Sequence, residues 1–288
     1  MVILVSSGFN CSKQVSELVV ELKTRPVMDD LGRRVQIPEK IERVISLAPS
    51  LTEMIFALGA GDKLVGVTTF CNYPSEADQI RKVSDTQTPN IESVIALRPQ
   101  VVFVSTASQL ETFTKILESQ NIAVFVTSPN GLDDIYKSIA ALGDVLGTSE
   151  RANEVINNMQ KRVEKVESLV NDLGRPKVFV QIDKNSLYTI GRDSFITDIV
   201  ARAGGVSATA NLATGYPKLS KETALALNPD VIILSESNDN REPNEVFRNS
   251  PAVKNKRVYS VNADLLSRPG PRIVDALEQI AGKLRSTN

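Results

Sequence analysis

Apolar and polar positions follow two alternating periods along this chain. Apolar strings of strand length occur at 43–47 (RVISL), 64–68 (LVGVT), 101–104 (VVFV) and 122–126 (IAVFV). Between them the spacing turns helical at 50–57, 91–97 and 110–118. Ser50 and Glu53 fit an S-x-x-E capping box, which predicts Ser50 as the cap of the first helix; Gly59 and Gly61 predict its end. Ahead of these, PVMDDLGRRVQIP at 26–38 predicts a hairpin turning near Leu31 and Gly32. Regular alternation of strand and helix predicts parallel strands with helical crossovers.

From 148 to about 173 the pattern changes. Val155, Met159, Val163, Val166, Val170 and Leu173 recur three or four apart with charges between them. That predicts one helix of roughly 40 Å at 1.5 Å per residue. Thr148 or Ser149 would cap it, and Gly174 and Pro176 would end it. The alternation then resumes, with strands at 178–182, 231–234 and 257–261 and helices at 194–202, 221–227 and 271–284, Pro271 opening the last. The expected division is a tail at 1–25, a first lobe at 26–147, a connecting helix at 148–174 and a second lobe at 175–288. A single long helix between two α/β halves acts as a stiff spine.

One phrase occurs twice. ESVIALRPQVVFV at 92–104 aligns without a gap to ETALALNPDVIIL at 222–234. Each reads as a short helix, a proline stop and an apolar strand, and each opens on a glutamate, Glu92 or Glu222. Matched carboxylates on two lobes suit docking onto a two-fold symmetric partner.

Composition narrows the chemistry. The 288 residues suit two lobes, and a formal net charge of −1 offers no basic field for nucleic acid. Histidine is absent, which removes Ser-His-Asp and Cys-His catalysis and any histidine-built zinc or haem site. A metal site would need carboxylates alone. Gly59, Gly61 and Gly66 do not form GxGxxG and follow a helix, so a nucleotide-dependent enzyme is not expected. Cys11 and Cys71 show no CxxC spacing. Two readings of the short apolar N-terminus stay open: a trimmed secretory signal with Cys11 as a lipid-attachment point, or a frayed tail.

RVISLAPSLTE at 43–53, FCNYP at 70–74, NIESV at 90–94, YTIG at 188–191, AGG at 203–205 and the Pro271–Arg272 pair together resemble ABC-importer substrate-binding proteins of the helical-spine class, nearest its vitamin B12 binders. The resemblance runs from about residue 26 to the C-terminus. It implies a non-enzymatic α/β receptor: two Rossmann-like lobes with mostly parallel sheets, joined by one long helix. It also implies a ligand in the cleft between the lobes, a periplasmic or extracytoplasmic location, a monomer, and Glu92 and Glu222 meeting the permease subunits. No cofactor or metal is expected; the ligand would be cobalamin or a related corrinoid. Phe70, Tyr188, Tyr216, Asp264 and Arg268 match ligand-contact positions of the B12 binders. Thr86 and Ser105 fall where those binders hold tryptophan, and Ser267 replaces an acidic neighbour, which puts the known pocket design in doubt. A ferric siderophore or haem is the alternative cargo, with Arg192 and Arg268 as candidate anion contacts. Ser50 and Thr52 sit where a strand end meets a helix start, the usual ligand face of an open α/β sheet.

Overall fold

A computed structural model describes residues 23–85, 90–106, 110–171 and 174–286. The hairpin expected at 26–38 pairs β1 (Thr24–Met28) with β2 (Arg34–Pro38) in antiparallel register. Val27, Val35 and Ile37 point inward, the period-two signature of a half-buried ribbon. Gly32 closes the turn at φ +72°, a conformation glycine adopts without a steric penalty.

The first lobe follows as β3 (Val44–Ser46), α1 (Pro49–Ala57), β4 (Leu64–Thr68), β5 (Lys82–Ser84), α2 (Ile91–Ala96), β6 (Val101–Ser105), α3 (Leu110–Ser119), β7 (Ala123–Thr127) and α4 (Leu132–Leu146). Its five strands lie in the order β5-β4-β3-β6-β7, all parallel. The helix α5 (Ser149–Val170) then carries the chain to the second lobe. That lobe runs β8 (Lys177–Gln181), α6 (Phe195–Arg202), β9 (Val206–Ser207), α7 (Lys221–Leu227), β10 (Val231–Glu236), α8 (Pro251–Lys254), β11 (Val258–Asn262), α9 (Ala263–Ser267) and α10 (Ile273–Arg285). Its sheet order is β11-β10-β8-β9, again parallel. The α/β expectation of two parallel sheets holds.

Several local expectations do not. Ser50 is not a cap: α1 starts at Pro49 after Ala48, with no side-chain cap bond. Glu53, the other half of the expected capping box, is drawn away by arginines of the second lobe. Thr148 occupies the cap position of α5 without capping it, and its hydroxyl is buried without a hydrogen-bond partner. The 22 residues of α5 span about 33 Å, shorter than expected because the helix closes at Val170, before Gly174 and Pro176. Pro271 precedes α10, whose cap is Arg272. Helix α4, absent from the sequence expectation, is a full 15 residues.

The twin phrase forms twin structures. Asn90 caps α2 by accepting from the Ser93 N–H, and Ser220 caps α7 by accepting from the Thr223 N–H. Each helix leaves through a left-handed residue, Arg98 at φ 47° and Asn228 at φ 43°, before its proline and strand.

One apolar core runs through both lobes. Met159, Val163, Val166 and Val170 of α5 pack with Ile139 and Leu142 of α4, Ile196 and Ile199 of α6, and Leu277 and Ile280 of α10. Arg202 of α6 adds a polar tie between the lobes, reaching Glu167 at 2.9 Å, Asp198 at 3.1 Å and Asp133 of α4 at 3.3 Å. Asp198 also accepts the Leu132 N–H at 2.8 Å. The lobes therefore share buried surface and not merely a linker.

Candidate ligand cleft

In an open parallel sheet, ligands bind outside the carboxyl ends of the strands. Here the segments that follow β3, β4, β6 and β7 in the first lobe and β8 and β11 in the second converge on one cavity of about 540 Å3. Its volume lies within the usual range for small-molecule sites. Phe70 enters from the loop after β4, and Tyr216 from the long connection before α7. Both rings are half-exposed, at 56% and 47%, and so leave apolar surface open to a ligand in the cavity. Ser50, Ser105, Thr106, Ser128, Asn130 and Ser194 supply hydroxyl and amide groups around the wall.

Beneath the wall lies a cluster of charges. Glu53 of α1 is buried and accepts from Arg268 at 2.8 Å and from Arg272 at 2.6 and 2.8 Å. Arg268 also donates to Asn72 at 2.8 Å and pairs with Asp264 at 2.7 Å. The Arg272 guanidinium lies 3.7 Å above the Tyr73 ring, a cation–π distance. The Glu53 hydrogen bonds raise the Arg272 pKa. Burial raises the Tyr216 phenol above its ordinary value, while a hydrogen bond with Ser194 opposes it.

Four of the five residues expected to touch ligand, Phe70, Tyr216, Asp264 and Arg268, line this cavity. Tyr188 is exposed but does not line it, because backbone bridges to Asp183 and Lys218 hold it elsewhere. Arg268 is no solvated loop arginine; it is 8% exposed and held by its three partners. Arg192 is off the wall and sits 3.6 Å from Asp193. Ser105 lines the wall, whereas Thr86 and Cys11 lie outside the described residues. Sequence reasoning missed Asn72, Arg272 and the true role of Glu53. The available signal was a glutamate embedded in the apolar string LTEMIFAL.

Glu92 and Glu222 are exposed in the first turns of α2 and α7. A crossover helix starts at the carboxyl edge of the sheet, so both stand on the edges that bear the cavity. Hydrogen bonds from its own backbone N–H and the Ser220 hydroxyl hold the Glu222 carboxyl below its ordinary pKa. Among the described residues no group of three or more His, Cys, Asp or Glu is placed to hold a metal ion. No described helix is long and apolar enough to cross a membrane.

Comparison with known proteins agrees with this geometry. Residues 44–265 match the "Periplasmic binding protein" family. An uncharacterized ABC transporter substrate-binding lipoprotein, YvrC of Bacillus subtilis, is 29% identical over 291 residues, covering 97% of this chain and 92% of that protein. The periplasmic vitamin B12 binding protein BtuF of Vibrio cholerae superposes with a TM-score of 0.75 at 29% identity, covering 85% of this chain and 97% of that one. A periplasmic heme binding protein from Pseudomonas aeruginosa superposes with a TM-score of 0.76 at 25% identity, covering 84% and 92%.

Proposed function

The chain belongs to the periplasmic binding protein family, and from that premise we propose that it captures a corrinoid of the vitamin B12 type in the interlobe cleft and delivers it to the permease of an ABC importer. Such a protein is a receptor and not an enzyme. The observation that carries the reading is a cleft with two exposed rings and a mostly uncharged polar rim. A corrin is a flat macrocycle fringed by neutral amides. Rings suit its faces, with large contact area at small entropy cost, and hydroxyl and amide groups suit its fringe.

Haem is the competing cargo, since a heme-binding protein shares the fold. Haem brings two carboxylates and an iron in need of an axial ligand. The chain has no histidine. Tyr216 is the one tyrosine among the described residues of the cavity wall, and burial disfavours its phenolate. Arg268 is the one wall cation among them, and its guanidinium is already engaged. A strongly anionic siderophore meets the same shortage. These points favour the corrinoid.

Delivery would use Glu92 and Glu222, one per lobe, against matching basic sites on two permease subunits. The protein would work outside the cytoplasm as a monomer, with Cys11 as a candidate lipid anchor in keeping with the lipoprotein relative. The test is titration with cyanocobalamin, haem and ferric siderophores, followed by visible absorbance and calorimetry. Saturable cyanocobalamin binding that the others fail to displace supports the reading; tighter binding of haem or a siderophore refutes it.

A further inference from the structure

Glu53 is a charge in the interior that cargo contact does not explain. It stands on α1 of the first lobe with 4% of its surface exposed. An isolated buried carboxylate is costly, and here two guanidiniums of the second lobe offset that cost. Arg268 spends one terminal nitrogen on Glu53 and Asn72 and the other on Asp264. Arg272 gives Glu53 a bidentate pair, at 2.8 Å through Nε and 2.6 Å through Nη2. Two carboxylates and two guanidiniums make the cluster neutral. Of its charged members, only Arg268 and Asp264 reach the cavity wall.

We propose that Glu53 determines cargo specificity from behind the wall: by neutralising Arg268 and Arg272 it denies anionic chelates a cation and reserves the cleft for cargo with uncharged polar groups. The inference rests on the neutral-corrinoid reading above. A residue serving only to latch the lobes would tolerate an amide in its place, because an amide still accepts a hydrogen bond. A residue serving to cancel charge would not.

Glu53→Gln separates the two roles. It preserves shape and leaves the cluster with one net positive charge. The probe is a ferric tris-catecholate complex, a trianion with its iron already saturated. Its affinity should rise about tenfold or more in this variant, and the gain should shrink as salt is added. The double variant Glu53→Gln/Arg272→Gln is neutral again and should lose the gain, although it also gives up the bidentate pair between the lobes. Arg272→Gln alone carries one net negative charge and should bind the probe more weakly than the wild type; this opposite sign keeps the test open if Glu53→Gln folds poorly by circular dichroism. No gain in a folded Glu53→Gln, a gain that persists in the double variant, or a gain in Arg272→Gln overturns the proposal. A parallel titration with cyanocobalamin separates the premise from the inference. Absent cyanocobalamin binding by the wild type sinks the cargo reading, whatever the charge variants do with the trianion.

Discussion

Replacing Phe70 with alanine tests the cleft most directly. The ring is 56% exposed, so about 100 Å2 of a phenylalanine surface is open to a ligand face. Covering half to all of that area at ~25 cal/mol per Å2 contributes about 1.2–2.5 kcal/mol. Phe70→Ala should therefore weaken cyanocobalamin by about tenfold to about seventyfold. Tyr216, 47% exposed on the other lobe, should behave alike. The two rings belong to separate lobes, so the double variant should lose close to the sum of the two free energies. Tyr188→Ala is the control, because that ring is exposed to a similar degree yet lies off the cavity wall. Phe70→Ala should cost little thermal stability, since that ring is more than half exposed. Calorimetric titration of the wild type and the four variants reads the outcome. If Phe70→Ala and Tyr216→Ala bind within twofold of wild type, or if Tyr188→Ala loses as much as they do, the assignment of the cleft is wrong.

Three further outcomes follow from other parts of the molecule. Reversing both Glu92 and Glu222 to arginine should leave cargo affinity nearly intact and abolish uptake in reconstituted vesicles; a comparable fall in affinity would contradict a docking role. Burial pushes the Tyr136 pKa from 10.0 up to about 12, so the neutral phenol is the folded-state form; its contribution is intact below pH 10 and is lost as pH rises from 10 to about 12. Tyr136→Phe should flatten that alkaline loss in urea melts at pH 8 and pH 11, and identical slopes would refute it. At Gly143 a Cβ would sit 2.5 Å from that of Ala152, so Gly143→Ala should destabilise by about 1–3 kcal/mol through forced separation of α4 and α5. Ala152→Gly in the same chain should recover most of the loss in denaturant melts.

The parts of the fold legible in the sequence were those that depend on short-range pattern. The twin phrase is one: cap, turn of helix, left-handed exit, proline and strand are all local events, and both copies form as spaced. The apolar spine positions from Val155 to Val170 are another, because a period of three to four residues fixes which face is buried. Helix α4 was missed although Leu132, Ile135, Ile139 and Leu142 carry the same period; Gly143 interrupts its reading without interrupting the helix, because α5 needs the close approach there. The charge clusters were not legible. Glu53 fits a capping box equally well on paper, and only the arrival of Arg268 and Arg272, more than two hundred residues later, decides its role. Likewise Arg202 and Asp198 read as an ordinary i,i+4 pair until α4 and α5 bring Asp133 and Glu167 beside them. The cleft residues became visible only in part, because loop positions carry no period and their convergence is a property of sheet order.

The uninterrupted apolar layer beneath both halves also bears on how a transporter would tell laden from vacant receptors. A frame tied in this way is expected to open by only a small angle on binding, and would then present nearly the same outline in either condition. Recognition of occupancy then has to come from the guest's own edge at the mouth, or from a difference in how long the complex lasts after contact. An unladen receptor would consequently compete for the same gate, and uptake would slow when receptors greatly outnumber their guests.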